Sequence, residues 1–170
     1  MKKRKRKILR RTIVSIAMAI FIMGFMFVMS GMSGEESSKI SSFIVDVLER
    51  FIPIFDGLDP LAYKGAHELL VWIVRKAAHF TEFALLGFFL ASAFHTYRLP
   101  EERTAAILFR GFLFTLIIGI AYAVTDEFHQ SLVNGRAAMI MDVGIDSIGV
   151  IAGALFSTLI VRKPLPPTKL

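Results

Sequence analysis

From Thr12 to Ser30 the chain carries no charged residue, and just before that run stand Lys2, Lys3, Arg4, Lys5, Arg6, Lys7, Arg10 and Arg11. A helix of this length crosses a hydrocarbon core about 30 Å thick. The basic block beside it holds its end of the span in the cytoplasm and meets anionic inner-leaflet lipid. Gly31-Met32-Ser33 also offers small residues at a signal-peptide cleavage point, but the apolar core of a signal peptide is usually shorter than this run. An uncleaved anchor is therefore expected.

One membrane-crossing helix needs company, and 55% apolar residues, 16 Phe and a mean hydropathy of +0.61 exceed what a soluble core of 170 residues requires. Three further runs of suitable length fall near 77–95, 106–125 and 139–161. The expected fold is an all-α membrane protein, a bundle of about four transmembrane helices. One membrane domain over 12–161 lies between a basic cytoplasmic N-terminus, 1–11, and a cytoplasmic tail, 162–170. The net charge of +6 resembles a nucleic-acid signal until it is located: without the eight N-terminal bases the rest of the chain carries −2. No interleaving of basic and aromatic residues follows, so no nucleic-acid partner is expected. The chain has no cysteine, which excludes disulfides, thiolate metal sites and a Cys nucleophile.

With the basic end inside, the loops obey the positive-inside bias. Arg98 and Arg103 fall in the inner loop, and Arg162, Lys163 and Lys169 in the tail, which also holds Pro164, Pro166 and Pro167. The outer segment 31–75 carries Glu35, Glu36, Asp46, Glu49, Asp56, Asp59 and Glu68 against Lys39, Arg50, Lys64 and Arg75, a net of −3. Within it Ile40, Phe43, Ile44, Val47, Leu48 and Phe51 recur at helical spacing and predict an amphipathic outer-side helix that lies on the membrane or caps the bundle, ending before Pro53. Residues 53–60 read as a turn, and 69–74, with Trp72, as an interfacial lead-in to the second span.

Ionisable residues inside spans are costly and mark function or partnership. Lys76, His79 and Glu82 share one face of the second span. Tyr122, Asp126, His129 and Gln130 line one side of the third with Gly119, while Glu127 points elsewhere. In the fourth, Asp142 and Asp146 are followed on the same stripe by Gly149 and Gly153, small residues that let another helix approach. In the expected topology all of these lie at the outer leaflet, with Gly135-Arg136 turning between spans three and four. His67 and His95 read as solvated or interfacial.

The run Lys76-Ala-Ala-His79-Phe-Thr-Glu82-Phe83, then Asp126-Glu127-Phe128-His129-Gln130, then Gly135-Arg136, then Asp142, Asp146, Gly149 and Gly153, resembles the VanZ-like family. Ser30, Ser38 and Ser41 resemble its serine-containing stretch after the first span. The likeness covers roughly 27–160. It departs at Val133-Asn134, where a Pro-containing approach is expected, and at Asp146, where Asn is commoner; an extra acid beside Asp142 favours protonation of one of them, or a cation or Lys76 shared between them. Membership implies a small protein of the bacterial cell membrane whose prototype is associated with resistance to the lipoglycopeptide teicoplanin, and it implies no settled biochemical activity.

The leading expectation is an envelope protein that binds a membrane lipid or lipid-linked cell-wall component through Lys76, His79, Glu82, Asp126, Glu127, His129, Gln130, Arg136, Asp142 and Asp146, and so alters lipoglycopeptide susceptibility. The alternative is an integral-membrane hydrolase or transferase acting on a lipid phosphate or glycan, with His129 or His79 as general base and Asp126 orienting it. A plainer reading has Lys76 and Arg136 neutralise Glu82, Asp126, Asp142 and Asp146 in a structural network. His79 and His129 are suitable metal ligands beside carboxylates, but no His-Glu-x-x-His or comparable spacing is present, and no metal site is expected.

Overall fold

The computed structural model describes residues 2–52, 55–96 and 104–160. The expectations placed on Pro53, on Arg98 and Arg103 and on the 162–170 tail lie outside those residues. Five helices follow in order: α1 Lys2–Ser30, α2 Gly34–Phe51, α3 Pro60–Thr96, α4 Thr104–Ser131 and α5 Ile140–Ile160. No strand occurs among the described residues. Four of the helices, α1, α3, α4 and α5, are long and apolar enough to cross a membrane. Their outward faces leave Phe21, Phe25, Phe109, Phe128 and Phe156 exposed, a surface that water would not tolerate but acyl chains would.

Helix α3 is the centre of the bundle and packs against each of the other four. It also departs from the expected span. Residues 60–75 are helical and continuous with the span, because Asp59 accepts hydrogen bonds from the backbone N–H groups of Leu61 (2.9 Å) and Ala62 (3.0 Å) and Pro60 supplies a preset first turn. At 37 residues α3 is roughly 55 Å long, well beyond the hydrocarbon core, so its first turns project as a stalk.

Helix α2 starts at a capping box. The Ser33 hydroxyl accepts from the Glu36 N–H, and the Glu36 carboxylate accepts from the Ser33 N–H at 2.9 Å. It then runs antiparallel along the α3 stalk, held by Arg75 to the Ser38 hydroxyl, His67 to Asp46 at 3.1 Å and Tyr63 to Glu49 at 3.1 Å. The side packed inward is Ser41 and Val45. The apolar stripe of Ile40, Phe43, Ile44, Leu48 and Phe51 stays exposed, on the side turned away from Ser41 and Val45.

Of the two histidines read as solvated or interfacial, His95 departs from that setting, whereas His67 stays half-buried at the surface. His67 is paired with Asp46 and ringed by Phe55 and Tyr63. His95 is 2% exposed, lodged where α3 crosses α4 over Gly111.

The tightest crossing joins α3 to α5. A β-carbon on Gly149 would stand 2.6 Å from the Phe80 carbonyl oxygen, and one on Gly153 would overlap the Ala84 carbonyl. Around this crossing Ile22 and Met26 of α1, Phe83 and Leu86 of α3, Ala123 of α4 and Val150 of α5 form the apolar core. Gly153→Leu should therefore lower stability by about 1–3 kcal/mol through overpacking, whereas Gly65→Ala, whose β-carbon meets nothing within 4 Å, should not lower it. Thermal unfolding of both variants in detergent checks the pair, and equal midpoints would contradict the backbone contact.

Candidate functional site

The polar residues of the spans collect at one end of the bundle, where α1 and α4 finish and α5 begins. Two turns close that end. In the α4–α5 turn the Val133 N–H bonds Gln130 O at 3.0 Å and the Arg136 N–H bonds Val133 O at 3.2 Å. Gly135 supplies a φ of 75°, a conformation that L side chains rarely adopt. The α1–α2 turn lies directly on this one, with the Gly34 N–H donating to Asn134 O at 3.2 Å. A side chain on Gly34 would collide with the Gly135 backbone.

Beneath the turns lies a cavity of about 200 Å³. Its lining comes from Trp72, Arg75, Lys76 and His79 of α3, Glu127 and Gln130 of α4, Arg136 of the turn, and Asp142 and Asp146 of α5. Lys76 Nζ meets Asp142 Oδ2 at 2.5 Å and stands 5.8 Å from the Trp72 ring centre. Deeper in, Asp126 Oδ2 accepts from Gln130 Nε2 at 2.7 Å and from Ser30 Oγ at 3.0 Å. Asp126 and Asp146 are each 2% exposed, and His79, Asp126 and Asp146 bring one potential ligand atom apiece within 4.8 Å of one another.

Arg75 and Arg136 share the cavity wall with Glu127, Asp142 and Asp146. The Nε atoms of Arg75 and Arg136 are both buried without a hydrogen-bond partner. Burial first, and the Arg75 charge second, pull the Arg136 pKa below its ordinary value. An arginine so placed stays charged and favours an anion beside it.

The fold brings together seven of the ten expected residues as cavity lining: Lys76, His79, Glu127, Gln130, Arg136, Asp142 and Asp146. Asp126 stands behind them. Glu127 does not point away as its helical angle implies; it is 4% exposed, because the chain folds back over the end of α4 and the Met139 N–H donates to Glu127 Oε1 at 2.5 Å. That contact satisfies a donor just ahead of α5. His129 faces α1 instead, stacked on Phe27 with ring centres 4.2 Å apart and planes within 5°. Glu82 is half-buried and outside the lining. Trp72 and Arg75 line the cavity without having been singled out, although Trp72, Lys76 and His79 already share the i, i+4, i+7 spacing of one helix face.

The family model described as VanZ/LLP1 matches residues 15–161, which takes in the second half of α1, all of α2 through α5 and every residue of the cavity. The chain belongs to the VanZ/LLP1 family. Comparison with curated proteins and with solved structures gave no match. The VanZ/LLP1 match and the four membrane-length helices agree on a VanZ-like membrane protein.

Lys76 and Asp142 are each only 16% exposed at the side chain, so removing one partner strands the other charge. Lys76→Met should cost this VanZ/LLP1 protein about 3–5 kcal/mol. The double variant Lys76→Met/Asp142→Asn should recover most of that loss in thermal unfolding, and a double variant no more stable than the single one would refute the pairing.

Proposed function

We propose that this protein binds a phosphate-bearing headgroup, from a membrane lipid or a lipid-linked cell-wall component, in a cavity facing the outside of the bacterial cell membrane. The observation that carries the reading is the pair of guanidinium groups, Arg75 and Arg136, whose buried Nε donors lack protein partners on the wall of one cavity. Guanidinium groups match phosphate oxygens in geometry and charge. Lys76, paired with Asp142, borders the same cavity, and the apolar helix faces beside it offer acyl chains a resting place.

The facing follows from α1. Its basic start favours the cytoplasm, and its other end, Ser30, touches the Asp126 cluster. One crossing of the membrane thus separates the cavity from the basic block. The chain has no native cysteine to interfere, so Glu35→Cys, at an exposed position beside the cavity turns, should react with a membrane-impermeant maleimide in intact cells. Labelling only after lysis would place the cavity on the cytoplasmic side and end the envelope reading.

Each charge-assisted bond contributes about 1.5–3 kcal/mol, so loss of one arginine should weaken headgroup retention roughly ten-fold or more. Lipids retained by the purified protein, measured by mass spectrometry, should include a phosphate-bearing species that Arg75→Ala/Arg136→Ala fails to hold. The same double variant should share the altered teicoplanin susceptibility of a deletion strain. Retention and susceptibility both equal to wild type would sink the proposal.

A hydrolase or transferase acting on the same headgroup is the second reading. It is favoured by one observation, the imidazole of His79 in the cavity wall beside Asp146. His129 is poorly placed for that work, lying against Phe27.

A further inference from the structure

The Arg75, Lys76 and Arg136 side of the cavity accounts for an anion, but it leaves the floor unexplained. There two buried carboxylates and a half-buried imidazole, from three different helices, converge. Asp126 Oδ1, Asp146 Oδ1 and His79 Nδ1 are all buried without a hydrogen-bond partner. Buried polar atoms are ordinarily satisfied, and two carboxylates held this close repel each other strongly in a low dielectric. Lys76 lines the same cavity as Asp146, yet its ammonium is engaged by Asp142 at 2.5 Å.

We propose that His79, Asp126 and Asp146 form a binding site for one divalent transition-metal cation at the floor of the cavity.

The geometry supports this in three ways. Three ligands spread evenly around one ion at about 2.0–2.2 Å stand roughly 3.5–3.8 Å apart, so atoms within 4.8 Å of one another need to close by about 1 Å at most, within the reach of side-chain torsions. Asp126 is fixed as metal-binding carboxylates are: Ser30 and Gln130 both donate to Oδ2, which leaves Oδ1 buried without a partner. Finally, His79 and Asp146 border the cavity, so an ion held by three protein ligands keeps open positions facing it, where water or a phosphate oxygen can complete its shell. One imidazole with two carboxylates suits Mn²⁺ or Zn²⁺ better than Ca²⁺, which prefers more numerous oxygen ligands. No helical ligand spacing announces the site, because each ligand belongs to a different helix.

The inference stands on these three side chains and does not depend on the headgroup reading. Tag-free full-length protein in detergent, stripped with chelator and dialysed, is titrated with Mn²⁺ and with Zn²⁺ and followed by calorimetry and thermal unfolding. Wild type should bind one ion per chain and rise in midpoint. Asp146→Asn, which removes one of the two crowded charges, should fold without metal, at least as stably as the stripped wild type, and show no metal-dependent rise. Ser30→Ala, which frees the Asp126 carboxylate to turn, should bind roughly 10–100-fold more weakly. Stripped wild type that takes up neither ion, or Asp146→Asn that binds as wild type does, overturns the site. Arg75→Ala/Arg136→Ala separates the two readings: it should keep the ion while losing the anionic lipid.

Discussion

Where α3 crosses α5, the carbonyl of Ala84 occupies the space that a side chain at position 153 would need, so the two helices meet backbone to backbone. Everything at the cavity end inherits that spacing. Lys76 reaches Asp142, and His79 comes within ligand distance of Asp146, because the glycine stripe one and two turns further along α5 draws the helices together. In a bilayer no hydrophobic driving force pulls helices together, so close van der Waals contact of this kind carries a large share of the association. The polar residues are thus placed by the least polar part of the interface.

This explains why much of the bundle was legible in the sequence. The charge-free run after a basic block, the Asp142-Asp146-Gly149-Gly153 stripe and the Lys76-His79 face each follow from helical geometry and the cost of burying charge, and each lies where that logic puts it. What the sequence hid depends on contacts between distant segments. Glu127 has the wrong angle on an isolated helix, and only the path of the turn back to Met139 gives it a partner. His129 shares a face with Asp126, yet α1 intervenes and Phe27 claims its ring. The start of α3 was hidden for another reason: hydropathy falls off at the membrane boundary, but helical structure does not.

The cavity also has a graded interior. Arginines stand near the turns, an ion pair follows at Lys76 and Asp142, and carboxylates with one imidazole lie deepest. Such an order is unfavourable for an isolated bundle, because burying either sign without its complement costs free energy. It becomes favourable when an anion meets the arginines and a cation meets the acids. The two proposed ligands therefore answer one electrostatic problem from opposite ends, although each can be tested without the other.

The stalk of α3 adds a property of a different kind. From Pro60 the helix runs without a break through Arg75 and Lys76 to His79 and on to Thr96, and α2 is strapped along its projecting part by three polar contacts. The residues that hold α2 and the residues that line the cavity therefore stand on one continuous helix, with Arg75 belonging to both sets. The stalk, and not the spans alone, thus belongs to the frame that sets how Lys76 and His79 meet Asp142 and Asp146 on α5.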